Sequence, residues 1–151
     1  VPKDIIIGPM HKKKIYLQWS IAGELECTRN SKVLKLTRYV NVSKFINASF
    51  KEKLKNGSTY KRNIPINLIL NLSKRPPNLL IGESLMLKDF GIIRFPYVVG
   101  LWKYKNGDVS AFWSLPISNK REIEILSKEI GCPLKEKSEK IDDVLASYKR
   151  L

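Results

Sequence analysis

The sequence predicts an α+β fold: one domain over residues 1–151, mainly helical, with a small antiparallel sheet that includes one β-hairpin. Three observations carry this expectation. Apolar residues recur at helical spacing between residues 42 and 90, and again after residue 119. Lys105-Asn106-Gly107-Asp108 stands between two runs rich in aromatic and β-branched residues, as a hairpin turn does. Finally, 151 residues with 43% hydrophobic content suffice for one core, and no Pro/Gly/Ser-rich linker or internal repeat divides them.

Taken in order, Ile15, Leu17, Trp19 and Ile21 alternate with polar partners, which predicts a half-buried strand led in by Lys12, Lys13 and Lys14. Residues 32–40 fit a helix or a strand equally. Val42, Ile46, Phe50 and Leu54 follow at i+4 steps and mark a helix over 42–55, with Lys44, Lys51 and Lys55 opposite and Asn56-Gly57 ending it. Pro65 opens a second helix with Ile66, Ile69, Leu70 and Leu72 inward, and Pro76-Pro77 stop it. Residues 79–90 read as a third helix closed by Gly91, with a strand as the alternative.

Asn106-Gly107 predicts a two-residue hairpin turn with positive φ at both central positions. Within the hairpin, residues 98–114, that turn pairs Tyr104 with Val109, Trp102 with Ala111 and Gly100 with Trp113. Trp102, Tyr104 and Trp113 then share one face, read as core because cross-strand aromatic pairs stabilise hairpins; a stacking platform for single strands is the other reading. The C-terminal helices span 119–150. Asn119 and Glu122 have capping-box spacing, and Ile123, Leu126 and Ile130 face inward. Ser138 is expected to cap the last helix, whose stripe is Ile141, Val144, Leu145 and Tyr148 and whose charges follow the helix dipole.

Charge is distributed unevenly along this framework. Residues 1–62 hold 14 Lys and Arg against Asp4, Glu24, Glu26 and Glu52, a net +10 of the chain's +14. Such a field draws polyanions and accelerates their encounter. The candidate nucleic-acid contacts are Lys12, Lys13, Lys14, Arg29, Lys35, Arg38, Lys44, Lys51, Lys55, Tyr60, Lys61 and Arg62. Five phosphate contacts among them imply a slope of log K on log salt of about −4.5 for duplex DNA. Arginines fork phosphate oxygens and stack on bases, and Tyr60-Lys61-Arg62 after the Gly57-Ser58-Thr59 turn places an aromatic between hydroxyls and two bases.

Catalytic motifs are missing from the sequence. His11 is the one histidine, Cys27 and Cys132 lie far apart, and neither a zinc-ligand spacing nor a P-loop occurs. No metal, cofactor or catalytic residue is therefore expected. A metal-dependent nuclease is the enzymatic alternative, for instance through Glu24 with Asp108. A winged-helix regulator using the 106–107 hairpin as its wing is the other. No apolar run approaches the roughly 20 residues of a membrane span. Two cysteines read as reduced thiols, and the sequons at Asn41, Asn47, Asn56 and Asn71 weigh little in an Asn- and Ser-rich chain, Asn47 falling inside the expected helix. A cytoplasmic, intracellular protein is expected.

Residues 42–91 also resemble the C-terminal domain of the large, non-catalytic subunit of archaeal and eukaryotic primases. The helix is Val42–Lys55, the aromatic-basic stretch Tyr60-Lys61-Arg62, and the Pro-Pro element Ser73–Asn78. Asn78 stands where that family's cysteine follows the prolines, so the resemblance implies a relative without the iron–sulphur cluster. It further implies an accessory primase subunit that holds template and initiating nucleotide while a partner chain does the chemistry. The expected partners are nucleic acid, DNA ahead of RNA, and protein chains of a replication-type complex, with no membrane.

Overall fold

A five-stranded antiparallel sheet is packed on one face by helices and left open on the other, in a computed structural model that describes residues 1–27 and 32–149. The strands are β1 (Leu25–Cys27), β2 (Leu34–Asn41), β3 (Gly57–Tyr60), β4 (Tyr97–Lys103) and β5 (Val109–Ile117). Their order is β1-β2-β5-β4-β3, with every pair antiparallel. The helices are α1 (Lys3–Ile6), α2 (Met10–Glu24), α3 (Ala48–Lys53), α4 (Ile66–Ser73), α5 (Asn78–Asp89), α6 (Lys120–Ile125) and α7 (Lys135–Lys149). The expected α+β class with a hairpin is therefore observed.

Residues 15–21 are helix, not strand. Leu17 and Ile21 lie one helical step apart on the buried side of α2, while Ile15 and Trp19 form the same step on the exposed side. Two i,i+4 pairs on opposite faces mimic alternation, which is why the short pattern misleads. Helix α2 runs straight into β1, and Lys137 of α7 donates to the carbonyls of Ile21 and Ala22, satisfying acceptors at the helix end.

The 42–54 stripe is correct in burial and wrong in conformation. Val42, Ile46 and Leu54 are buried, but Ser43–Phe45 is a 3₁₀ turn and Ile46 is extended. Helix begins only at α3, where the Asn47 side chain accepts from the Phe50 N–H at 2.8 Å. Asn47 is thus an exposed N-cap rather than an interior helix residue. Residues 34–41 settle as strand. In α4, Ile69 and Leu72 are buried, whereas Ile66 and Leu70 face solvent. Helix α5 is confirmed, with Leu80, Met86 and Leu87 in the core.

The hairpin is real, but its register is one residue away from the expected one. Gly107 alone takes positive φ, at 93°, and Tyr104 and Asp108 close a loop in which the Gly107 N–H bonds back to the Tyr104 carbonyl. That is the three-residue type I turn with a glycine bulge, not the two-residue turn. Trp102 therefore pairs with Ser110 and Gly100 with Phe112, while a bulge at Val99 brings Val98 opposite Trp113. Trp113 points into the core and Trp102 onto the open face.

At the C-terminus Asn119 accepts from the Glu122 N–H, but the Glu122 carboxylate pairs with Arg94 instead of completing the capping box. A π turn over Leu126–Ile130 extends α6. Helix α7 starts at Lys135, so Ser138 lies inside its first turn rather than capping it. Cys27 and Cys132 are free thiols. Among the described residues, no helix is long and apolar enough to cross a membrane.

Candidate nucleic-acid interface

The pleat sorts the sheet residues into two chemistries. Leu34, Leu36, Val109, Ala111, Trp113, Leu115 and Ile117 face the helices and are buried. The opposite face carries Glu26, Lys35, Thr37, Tyr39, Ser58, Tyr60, Trp102, Phe112 and Ser114, which line a hollow of about 250 Å³. Among the described residues, no helix contributes to the lining of this hollow.

Its aromatic content is arranged around Phe112. Gly100 lies beside that ring, at a spacing where a Cβ would stand 2.9 Å from Phe112 Cζ and 2.3 Å from the Thr59 carbonyl oxygen. Glycine is needed there because strand and ring approach so closely. Tyr39 leans over Phe112 with ring centroids 5.7 Å apart, and Tyr60 meets it edge-on at 6.2 Å. Phe112 is thereby covered, while Tyr39 and Tyr60 remain half exposed. Burial, reinforced by Glu26 and by the neighbouring Tyr104 and Tyr60 phenols, pushes the Tyr39 pKa above its ordinary value, so its hydroxyl keeps its proton at neutral pH. Beneath the rings Ser114 is 2% exposed, and its Oγ makes no hydrogen bond.

Tyr60 also borders two further hollows. One, of about 450 Å³, is lined by Lys61, Arg62, Tyr97, Val98 and Val99. The other, of about 380 Å³, is lined by Phe50, Lys53, Leu54, Lys55, Ser58, Thr59 and Asn63. Aromatic surface and hydroxyls thus meet at Tyr60 with cationic side chains on either hand.

The expected contacts divide sharply. Lys35, Lys55, Tyr60, Lys61 and Arg62 surround this site, joined by Lys53. Lys44 is exposed on the 3₁₀ turn, and Lys51 is half-buried on α3, its carbonyl accepting from Lys103. Lys12 and Lys14 are exposed on α2, in the helical layer away from the open face. Lys13 is buried and bonded to Asp89 at 2.6 Å, so it is a structural cation. Arg38 is also internal: it donates through Nε and Nη2 to Glu83 Oε1 at 3.1 and 2.9 Å, through Nη2 to Ser20, and reaches Glu24 at 3.2 Å. Arg29 lies outside the described residues. The pleat explains the missed residues: Tyr39 and Phe112 come to one hollow with Trp102 only through the β2–β5–β4 register.

Other chemistry is sparse. Among the described residues, no group of three His, Cys, Asp or Glu side chains could hold a metal ion. Glu24 ends α2 beside Arg38, whereas Asp108 sits in the hairpin turn bonded to Asn106, so that pair does not assemble. Glu24 and Glu26 lie on different elements facing different ways. Burial raises the Cys27 thiol pKa, with Lys137 and Lys140 opposing. A groove of about 620 Å³ runs along α2 past Ile15, Tyr16, Trp19 and Gly23 to Glu24 and Arg38. Compared with protein-family models, with curated proteins and with solved structures, the chain matches none.

Proposed function

We propose that this chain is a nucleic-acid-binding protein whose interface is the open sheet face centred on Tyr60, and that it acts as a non-catalytic accessory to partner chains, a role of the kind the primase resemblance implies. The observation that carries the reading is the joint position of Tyr60. It borders an aromatic, hydroxyl-lined hollow on one side and the Lys61–Arg62 and Lys53–Lys55 hollows on the others. Rings that offer stacking surface, flanked by cations that can take phosphates, are what an extended polyanionic strand requires. The net charge of +14 adds long-range attraction.

Fluorescence anisotropy with labelled single- and double-stranded DNA and RNA over a salt series tests the reading. Contacts from Lys35, Lys53, Lys55, Lys61 and Arg62 give an expected slope of about −3.5 for single strands and about −4.5 for duplex DNA. Absence of binding to all four polymers at low salt would contradict it.

A nuclease reading draws on a different place. Glu24 is half exposed at the mouth of the α2 groove and held by Arg38, while Glu83 behind it is buried. One chain brings one reachable carboxylate there, so metal-assisted cleavage would need a second from another chain docked on the exposed side of α2. Mg²⁺- or Mn²⁺-dependent product in a time course would favour this reading, and its absence the accessory one.

A further inference from the structure

The hollow beneath Tyr39 and Tyr60 has features that phosphate attraction does not explain. At about 250 Å³ it falls below the roughly 300–1,000 Å³ of drug-sized sites, the scale of a single heterocycle. Its sides are aromatic rings, and the hydroxyl-bearing Thr37 and Ser58 lie among them. The hollow also holds a carboxylate, Glu26, paired across strands with Lys35. An acid on a surface meant for phosphates repels them unless it meets a hydrogen-bond donor, and the donors that nucleic acid offers are base amino and imino groups and, in RNA, the ribose 2′-hydroxyl.

We propose that this hollow is a binding site for one unpaired nucleobase bearing an exocyclic amino group. Tyr39 and Tyr60 hold the ring, Ser58 faces its edge, and Glu26 accepts from the amino group. The strand's phosphates continue past Tyr60 onto Lys61 and Arg62. A base inside a duplex stack hides its faces from such rings, so the site selects single strands. This inference rests on the nucleic-acid reading above and adds to it a strand and base preference.

The test measures anisotropy with labelled oligo-dC, oligo-dT, oligo-rC and oligo-rU of equal length, and with a mixed-sequence duplex, at one moderate salt concentration. The intact chain should bind the cytosine strands about fivefold or more tighter than the thymine and uracil strands, and tighter than the duplex; the deoxy and ribo arms report which sugar is taken. Glu26→Ala, on the exposed edge strand, removes the acceptor and should abolish the discrimination between cytosine and thymine strands. Tyr39→Ala should weaken every single strand about tenfold, and circular dichroism would establish that it is folded. Equal, salt-dependent binding of dC and dT, or a duplex bound as tightly as single strands, would overturn the base site and leave the phosphate-binding reading standing. No binding of any strand would overturn both.

Discussion

Removing the Arg38 guanidinium gives the clearest energetic prediction, because one side chain neutralises a carboxylate with no access to water. Glu83 is 0% exposed and its Oε1 accepts both Arg38 Nε and Nη2. Arg38→Ala strands that charge in the core and also releases Ser20 and Glu24. Breaking a buried pair from one side costs about 3–5 kcal/mol, a large fraction of a total stability of about 5–15 kcal/mol. With a urea slope of about 1–3 kcal/mol/M, the unfolding midpoint should fall by roughly 1 M or more. Trp113 lies directly across from Arg38 in the β2–β5 register, so its fluorescence follows the transition. Arg38→Met combined with Glu83→Leu removes both charges and should recover most of the loss. A midpoint unchanged in Arg38→Ala, accompanied by lost nucleic-acid affinity, would refute the structural role and restore Arg38 as a phosphate contact.

Three further outcomes follow from the same geometry. Gly100→Ala forces a Cβ to 2.3 Å from the Thr59 carbonyl oxygen and against Phe112, and should cost about 3 kcal/mol, the upper end of overpacking penalties, in urea unfolding. Burial, partly opposed by Arg38, raises the Glu83 pKa above its ordinary value. The folded state therefore holds that proton more tightly, and this contribution to stability, full below the unfolded value, is lost as pH rises through the folded one. Thermal melts across that interval should show the decline in the native chain and not in Glu83→Gln. Lys61→Glu with Arg62→Glu should weaken nucleic-acid binding at least tenfold and flatten its salt dependence, whereas Lys120→Glu with Lys135→Glu should change it less than threefold.

Much of the fold is legible because local chemistry and tertiary burial agree. Pro77 before α5, Asn119 before α6 and the stripe of α7 act within a turn or two of chain, and each ends up where its residues point. Residues 15–21 fail because four apolar positions cannot separate one strand from two helical pairs; only the packing of Leu17 and Ile21 decides. The hairpin fails by one residue because Asn106 tolerates either turn type, and the sheet beside it selects the glycine bulge. The site is half legible for the same reason. Tyr60, Lys61 and Arg62 are neighbours in sequence, whereas Tyr39, Trp102, Phe112 and Ser114 meet only through strand register. Net charge counts Lys13 and Arg38 as available although Lys13 is itself buried and bonded to Asp89, and Arg38 is held by Glu83 in the core.

The placement of the interface on the open sheet face is tested most directly by photo-cross-linking a bound single strand carrying 4-thiouridine or 4-thiothymidine, then mapping the adducts by mass spectrometry. Adducts on β2, β3 and β4, at Tyr39, Tyr60 and Trp102, are the predicted result. Adducts confined to α2, at Lys12, Lys14 or Trp19, would contradict it and move the interface to the helical layer.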